Sequence, residues 1–107
     1  MKLEGKKVLV VGAGKSGIAA SELLLDKKIE TVLYDGNKDL DVEKLYEKAP
    51  KLKGMPVLLG ELTDEQLRAF DVAVLSPGVP TDLPVVERMR AQNVCIWGEI
   101  ELAYSFA

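Results

Sequence analysis

A glycine-rich hexapeptide constrains the fold of this chain more than any other feature. The sequence Gly-Ala-Gly-Lys-Ser-Gly occupies residues 12–17 and matches the pattern G-x-G-x-x-G. It follows residues 7–11, where Lys7 is followed by a short β-branched and leucine run without polar alternation, which is typical of a parallel strand buried on both faces. After it, small and apolar residues recur at helical spacing over residues 16–27. A glycine turn that joins a strand to a helix predicts the first unit of an α/β fold.

Strand and helix patterns alternate along the rest of the chain. Short apolar runs predict further strands at residues 31–34, 57–59, 72–75 and 94–97. Among the intervening helices, one begins at a capping box formed by Thr63 and Gln66, and another begins at Asp82 and Pro84. This alternation predicts a Rossmann-like α/β fold, a doubly wound parallel sheet of about five strands with helices on both faces.

The composition excludes several classes of function. The 107 residues include 14 Lys and Arg and 17 Asp and Glu, a formal net charge of −3, and no basic stripe interleaved with aromatics, so we expect no nucleic-acid partner. No segment reads as membrane-spanning, and Gly12, Gly14 and Lys15 interrupt the first apolar run too early for a signal peptide. We therefore expect no membrane association and a cytoplasmic location.

The residue types present do not support a site for nucleophilic catalysis or for metal binding. The chain has no histidine, which excludes Ser-His and Cys-His pairs and the commonest zinc ligand. Glu99 and Glu101 are a poor metal pair because residues two apart on a helix face different ways, so solvated or capping roles are expected for them. We expect no catalytic residue and no metal ligand in this chain.

The glycine turn is the first candidate ligand site. Gly12 permits the tight turn, Gly14 lets a phosphate approach bare backbone, and Gly17 lets the helix pack closely on the sheet. Unpaired N–H groups at the helix start, together with the helix dipole, favour an anion there. Close helix packing alone is the competing explanation. A Walker A loop is rejected, because Leu9 lies where that motif needs its first glycine.

Two further loops are expected to border the same crevice. Asp35 ends the second strand, 18 residues after Gly17, where a carboxylate in a dinucleotide-binding unit accepts hydrogen bonds from a nucleoside. Ordinary turn chemistry of Asp-Gly-Asn is the competing explanation. The sequence Ser-Pro-Gly-Val-Pro at residues 76–80 follows the fourth strand, on the edge where doubly wound sheets bind ligands, although a rigid connector explains it equally well.

With these motifs in place, the whole chain resembles the N-terminal domain of a Mur ligase. The Ser-Pro-Gly loop and the sequence Gly-Glu-Ile-Glu-Leu at residues 98–102 carry most of the resemblance, because the glycine turn is shared with many oxidoreductases. The resemblance implies an enzyme of peptidoglycan synthesis that uses ATP and Mg²⁺ to activate a carboxylate as an acyl phosphate, which the amine of D-glutamate attacks. It implies that this domain holds the UDP end of the substrate, UDP-MurNAc-L-alanine. ATP, Mg²⁺ and the chemistry would belong to central and C-terminal domains outside the chain.

The resemblance also implies ligand roles for particular residues. The diphosphate would meet Gly14, Lys15, Ser16 and Gly17; uracil and ribose would be surrounded by Asp35, Gly36 and Asn37; and Gly78 would line the cleft. The last segment, residues 98–107, is predicted to be an uncapped helix. We therefore expect residues 1–107 to form a single domain that ends before the ATP-binding domain.

Two other classes of protein stay open on the residues alone. Both NAD and a UDP-sugar contain a diphosphate that could bind to the backbone amides at the start of the helix. The cofactor-binding domain of an NAD-dependent oxidoreductase and a non-enzymatic nucleotide-sensing module are therefore the alternatives.

Overall fold

Parallel strands and helices alternate along the chain in a computed structural model that describes residues 3–80, 83–98 and 101–102. The strands are β1 (Lys7–Val11), β2 (Glu30–Asp35), β3 (Val57–Leu59), β4 (Val72–Leu75) and β5 (Cys95–Trp97). The helices are α1 (Lys15–Asp26), α2 (Val42–Lys48), α3 (Asp64–Arg68) and α4 (Pro84–Ala91), and a 3-10 turn covers Pro50–Leu52. The predicted α/β alternation is confirmed, with differences of one residue at the ends of α1, β2 and β5.

The strand order fixes where a crevice can form. The five strands lie in the order β3-β2-β1-β4-β5, and each neighbouring pair is parallel. The chain runs outward from β1 to β3, crosses to β4 on the other side of β1, and runs outward again to β5. The order therefore reverses between β1 and β4, where Val11 pairs with Leu75 at the carboxyl edge. Connections leave this point in opposite directions, which is the usual location of a ligand crevice.

Helices cover both faces of the sheet, as predicted. One core contains Val8 and Val10 of β1 with Leu24 of α1 and Leu45 of α2. The other core contains Leu9 and Val11 of β1 with Leu67 of α3 and Met89 of α4. Successive side chains of a strand point to opposite faces of the sheet. A strand segment that contributes side chains to both cores must therefore be apolar at every position. The unbroken apolar run at residues 8–11 of β1 therefore follows from the central position of this strand.

Local signals in the sequence set two helix starts. At α3, Thr63 Oγ1 accepts from the amide of Gln66 at 3.1 Å, and Gln66 Oε1 accepts from the amide of Thr63 at 2.8 Å, which confirms the capping box. Pro84 is the first residue of α4, as predicted, whereas Asp82 lies outside the described residues. No helix in the described ranges is long and apolar enough to cross a membrane.

Only part of the predicted C-terminal helix is described. Glu101 and Leu102 are helical, and Leu102 is buried in the core that contains α1 and α2. Glu101 Oε2 accepts from the amide of Gly98 at 3.0 Å, which is the capping role expected for it. Glu99 and residues 103–107 lie outside the described residues.

Candidate functional site

Two glycines of the turn after β1 have no room for a side chain. Gly12 adopts φ +103°, and its amide donates to the carbonyl of Tyr34 at 2.7 Å. A Cβ on Gly17 would lie 1.7 Å from the carbonyl oxygen of Gly12. The first turn of α1 therefore packs directly against the glycine turn. The tight turn at Gly12 and the close helix packing at Gly17 are both as predicted.

The remaining glycine of the motif, Gly14, lies in a different environment. Gly14 is the exposed N-cap of α1, with extended backbone, and a Cβ placed on it would find no atom of the described residues within 4 Å. Among the described residues no side chain caps α1, and its first turn holds no acidic residue. N–H groups in the first turn of a helix lack intrahelical partners. The start of α1, with exposed Lys15 and half-buried Ser16, thus presents backbone donors and the positive end of the helix dipole.

Asp35 links the turn after β1 to the loop after β2. Its Oδ2 accepts from the amide of Ala13 at 2.9 Å, and its Oδ1 accepts from the amide of Asn37 at 2.8 Å. Asn37 Oδ1 in turn accepts from the amide of Asp39 at 3.0 Å. The turn chemistry considered for these residues is therefore present. A carboxylate oxygen accepts more than one hydrogen bond, so Asp35 keeps acceptor capacity for a ligand.

The Ser-Pro-Gly loop after β4 contacts the glycine turn. The amide of Ser76 donates to the carbonyl of Val11 at 3.1 Å, and Ser76 Oγ donates to the carbonyl of Gly12 at 3.4 Å. The amide of Val79 closes the loop by donating to the carbonyl of Ser76 at 2.9 Å. Gly78 is exposed, and a Cβ on it would contact no atom within 4 Å in the part of the chain that the structure describes. The two loops therefore meet at the reversal of strand order.

A cavity of about 350 Å³ opens between the turn after β1, the loop after β2 and the start of α4. Of the predicted site residues, Asp35 and Gly36 line it, whereas its lining residues do not include Gly14, Lys15, Ser16, Gly17, Asn37 and Gly78. Most of the wall is apolar, with contributions from Leu62, Val79, Leu83 and Val85. Two of the predicted residues thus line the cavity, four lie at the start of α1, and Asn37 and Gly78 lie in the loops after β2 and β4.

Sequence reasoning missed three polar residues of this cavity. Tyr34 is the next-to-last residue of β2, Glu61 follows β3, and Arg88 lies in the second turn of α4. The only signal in the sequence was their position near the end of a strand or within the helix that follows β4. That signal becomes usable only once the strand order is known.

Burial shapes the chemistry of Tyr34. Its hydroxyl donates to the carbonyl of Gly60, and the residue is almost completely buried. Burial raises the pKa of Tyr34 above its ordinary value, and the nearby carboxylates of Asp35 and Glu61 add to the rise, while Arg88 opposes it. The phenol is therefore a neutral hydrogen-bond donor at physiological pH.

A second cavity, of about 820 Å³, lies at the ends of β4 and β5. Ser76, Pro77 and Trp97 line it, but Asp35, Gly36 and the residues of the glycine turn do not. Despite its greater volume, it is therefore not the cavity that the predicted site residues share. Within the described ranges no group of three or more acidic or cysteine side chains could hold a metal ion.

Strand order, two-sided helix packing and the glycine turn together define a Rossmann-like α/β domain. A family model described as the MurD-like N-terminal domain of Mur ligases matches residues 6–98. The chain belongs to this family.

Individual relatives agree with the family match. The chain is 49% identical over 107 residues to UDP-N-acetylmuramoylalanine–D-glutamate ligase of Lachnoclostridium phytofermentans, covering all of this chain and 24% of that enzyme. The chain thus spans about a quarter of the length of the curated relatives it matches.

Solved structures share the fold. A pseudomurein peptide ligase type C from Methanothermus fervidus matches with a TM-score of 0.72 and 18% identity, over 95% of this chain and 20% of that one. A 3-hydroxyacyl-CoA dehydrogenase from Archaeoglobus fulgidus matches with a TM-score of 0.58 and 23% identity, over 94% of this chain and 38% of that one. A ligase and a dehydrogenase thus share the architecture, so the architecture by itself does not select the ligand.

Proposed function

We propose that this chain binds the UDP end of UDP-MurNAc-L-alanine, as the N-terminal domain of a cytoplasmic ligase that adds D-glutamate in peptidoglycan synthesis. In the complete enzyme, ATP phosphorylates the substrate carboxylate, and the amine of D-glutamate attacks the acyl phosphate and releases phosphate. Membership of the MurD-like family and the name of the Lachnoclostridium relative support this proposal.

ATP and Mg²⁺ do not fit this chain. Leu9 lies within β1 at the position where a Walker A loop needs a glycine, and the described residues contain no cluster of metal-ligating side chains. We assign their binding, and the catalytic residues, to the central and C-terminal domains of the complete enzyme. This chain then acts as a single substrate-binding domain without catalytic activity of its own.

The open environment of Gly14 is the observation that carries the proposal. The start of α1 presents uncapped N–H groups, and Gly14 leaves the space before them free. Its neighbour Ala13 is hydrogen-bonded to Asp35, which lines the cavity, so an anion seat and a nucleoside cavity adjoin. We assign the diphosphate to Gly14, Lys15, Ser16 and Gly17, the nucleoside to Asp35, Gly36 and Asn37, and the rim of the cleft to Gly78.

A titration of the chain with UDP, followed by amide NMR shifts, tests this assignment. We expect the amides of Gly14, Ser16 and Gly17 to shift with UDP, because they lie against the diphosphate. Unchanged amides there at saturating UDP would contradict the proposal. Parallel titrations with NAD test the oxidoreductase alternative, which predicts tighter binding of NAD than of UDP. Light scattering tests the sensor alternative, which predicts a dimer that responds to nucleotide.

A matched pair of variants sharpens the test. Gly14→Val fills the space before the helix start without touching other residues, and valine tolerates the extended backbone found there. We expect UDP affinity to fall at least about tenfold, since a lost charge-assisted hydrogen bond has that order of effect. The free energy of unfolding falls by about 1 kcal/mol, because valine is a poorer N-cap than glycine. The control, Ala19→Ser, adds one atom at an exposed position of the same helix and leaves affinity unchanged.

A further inference from the structure

Arg88, in the wall of the 350 Å³ cavity, is held in place by contacts to the segment before and at the start of α3. Its Nε and Nη2 donate to Asp64 Oδ1 at 3.0 and 2.9 Å, and Nη2 also donates to the carbonyl of Leu62 at 2.5 Å. The Arg88 and Asp64 side chains are 40% and 55% exposed, so their ion pair contributes little to stability. Its clear physical effect is to fix the plane of the guanidinium group between α3 and α4.

The fixed guanidinium keeps unused donors. The Nη1 atom of Arg88 carries two N–H groups and has no hydrogen-bond partner among the residues that the structure describes. The other polar side chains of the cavity differ. The Tyr34 hydroxyl donates to Gly60, and Asp35 and Glu61 carry only acceptors when ionised. Arg88 is therefore the one side chain among the described lining residues with an uncommitted N–H donor.

Building on the proposed function, we propose that Arg88 is a specificity-determining residue of the nucleotide site: its Nη1 donates a hydrogen bond to a carbonyl oxygen of the uracil base, while Asp64 and Leu62 hold the guanidinium in position. The mostly apolar wall suits a flat base, and a planar, charged donor at one side gives that base an orientation. Uracil presents two carbonyl oxygens, whereas the acceptors of adenine are ring nitrogens at other positions, beside an amino group that cannot accept from the arginine. The contact thus selects uridine over adenosine nucleotides in a fold that is also found in dehydrogenases.

Binding of UDP, ADP and inorganic pyrophosphate to the chain and its variants tests this role. We expect Arg88→Ala to weaken UDP about tenfold, the effect of one charged hydrogen bond, and to leave ADP and pyrophosphate within about twofold. Arg88→Lys keeps the charge but loses the planar fork, and we expect it to behave like the alanine variant. Arg90→Ala is the matched control, because it removes a cation from the same helix at a residue that does not line this cavity.

The outcomes separate this role from simpler ones. Equal losses of UDP and ADP in Arg88→Ala would show that the residue only supports the wall, and an unchanged UDP affinity would show no contact; either result overturns the inference while the proposed function stands. If Arg88→Lys bound UDP as tightly as the unaltered chain, the positive charge and not the planar guanidinium would be what UDP requires. That result would also overturn the inference. If the unaltered chain fails to bind UDP, the proposed function itself fails. The amide spectrum of each variant, compared at Leu62 and Glu61, verifies that the wall is intact.

Discussion

The turn after β1 and the loop after β2 lie side by side at the carboxyl edge of the sheet, but different interactions stabilise their conformations. In the turn, Gly12 and Gly17 are in contact through backbone, and a Cβ on Gly17 would lie 1.7 Å from a carbonyl oxygen. In the loop, a Cβ on Gly36 would lie 3.8 Å from the Tyr34 hydroxyl, an ordinary contact. The loop is shaped by the hydrogen bonds of Asp35 and Tyr34 instead.

Because of this difference, the two regions do not tolerate substitution equally. A steric requirement accepts only glycine, whereas a hydrogen-bonded loop tolerates changes at positions that do not supply the bonds. We therefore expect the turn to provide a fixed backbone seat and the loop to adjust the fit to a particular ligand. Three substitutions, in order of decreasing effect on stability, test the comparison.

Gly17→Ala tests the steric side of the comparison. The added methyl overlaps the Gly12 carbonyl, so α1 must shift away from the sheet. We expect the free energy of unfolding to fall by about 3 kcal/mol, well beyond the gain of about 1 kcal/mol that alanine brings to a helix. Urea unfolding measures the change. Gly36→Ala is the matched control and changes stability by less than about 0.5 kcal/mol; equal losses in both variants would refute the distinction between the two regions.

Asp35→Ala tests the connection between the two regions. It removes the acceptor of two backbone amides, one of them the half-buried Ala13 of the turn. We expect a loss of about 1–2 kcal/mol, because a donor without a partner keeps its desolvation cost. Asp39→Ala, at an exposed position of the same loop, serves as control. A loss as large as that of Gly17→Ala would mean that side-chain hydrogen bonds, and not steric fit, hold the turn.

Tyr34→Phe tests the hydrogen-bonded loop and its pH dependence. Without the hydroxyl, the carbonyl of Gly60 loses a partner, and we expect a loss of about 1 kcal/mol at neutral pH. Burial raises the folded-state pKa of Tyr34 above its unfolded value. The folded state therefore binds this proton more tightly, and the associated stability is complete below pH ~10 and is lost as pH rises through the folded pKa.

The measurement is the difference in unfolding free energy between the unaltered chain and Tyr34→Phe from pH 7 to 11. That difference is expected to shrink above pH ~10, because only the unaltered chain carries the titrating phenol. All other side chains are common to both proteins, so their contributions cancel in this difference. A constant difference over the whole range would show that the hydroxyl keeps the same pKa on folding.

Local sequence determined the elements of this protein and part of its candidate site. The bounds of strands β3 and β4, the capping box of α3 and the roles of Gly12 and Gly17 follow from residue type and spacing alone. Each depends on groups close together in the chain, such as side chains that alternate along a strand or a cap three residues from its partner. For the same reason, the sequence predicted that Asp35 ends β2, and the structure has it there.

Which of these elements lie next to each other depends on contacts between residues far apart in the chain. Asp35 accepts from Ala13, which is 22 residues away, and Arg88 is fixed by Asp64, which is 24 residues away. Periodicity tells which face of its own element a residue occupies, but the residue it faces depends on the order of the strands, which places β4 beside β1. The cavity, and the position of Arg88 in its wall, therefore depend on the sheet, which brings β2, the end of β3 and α4 to a common edge.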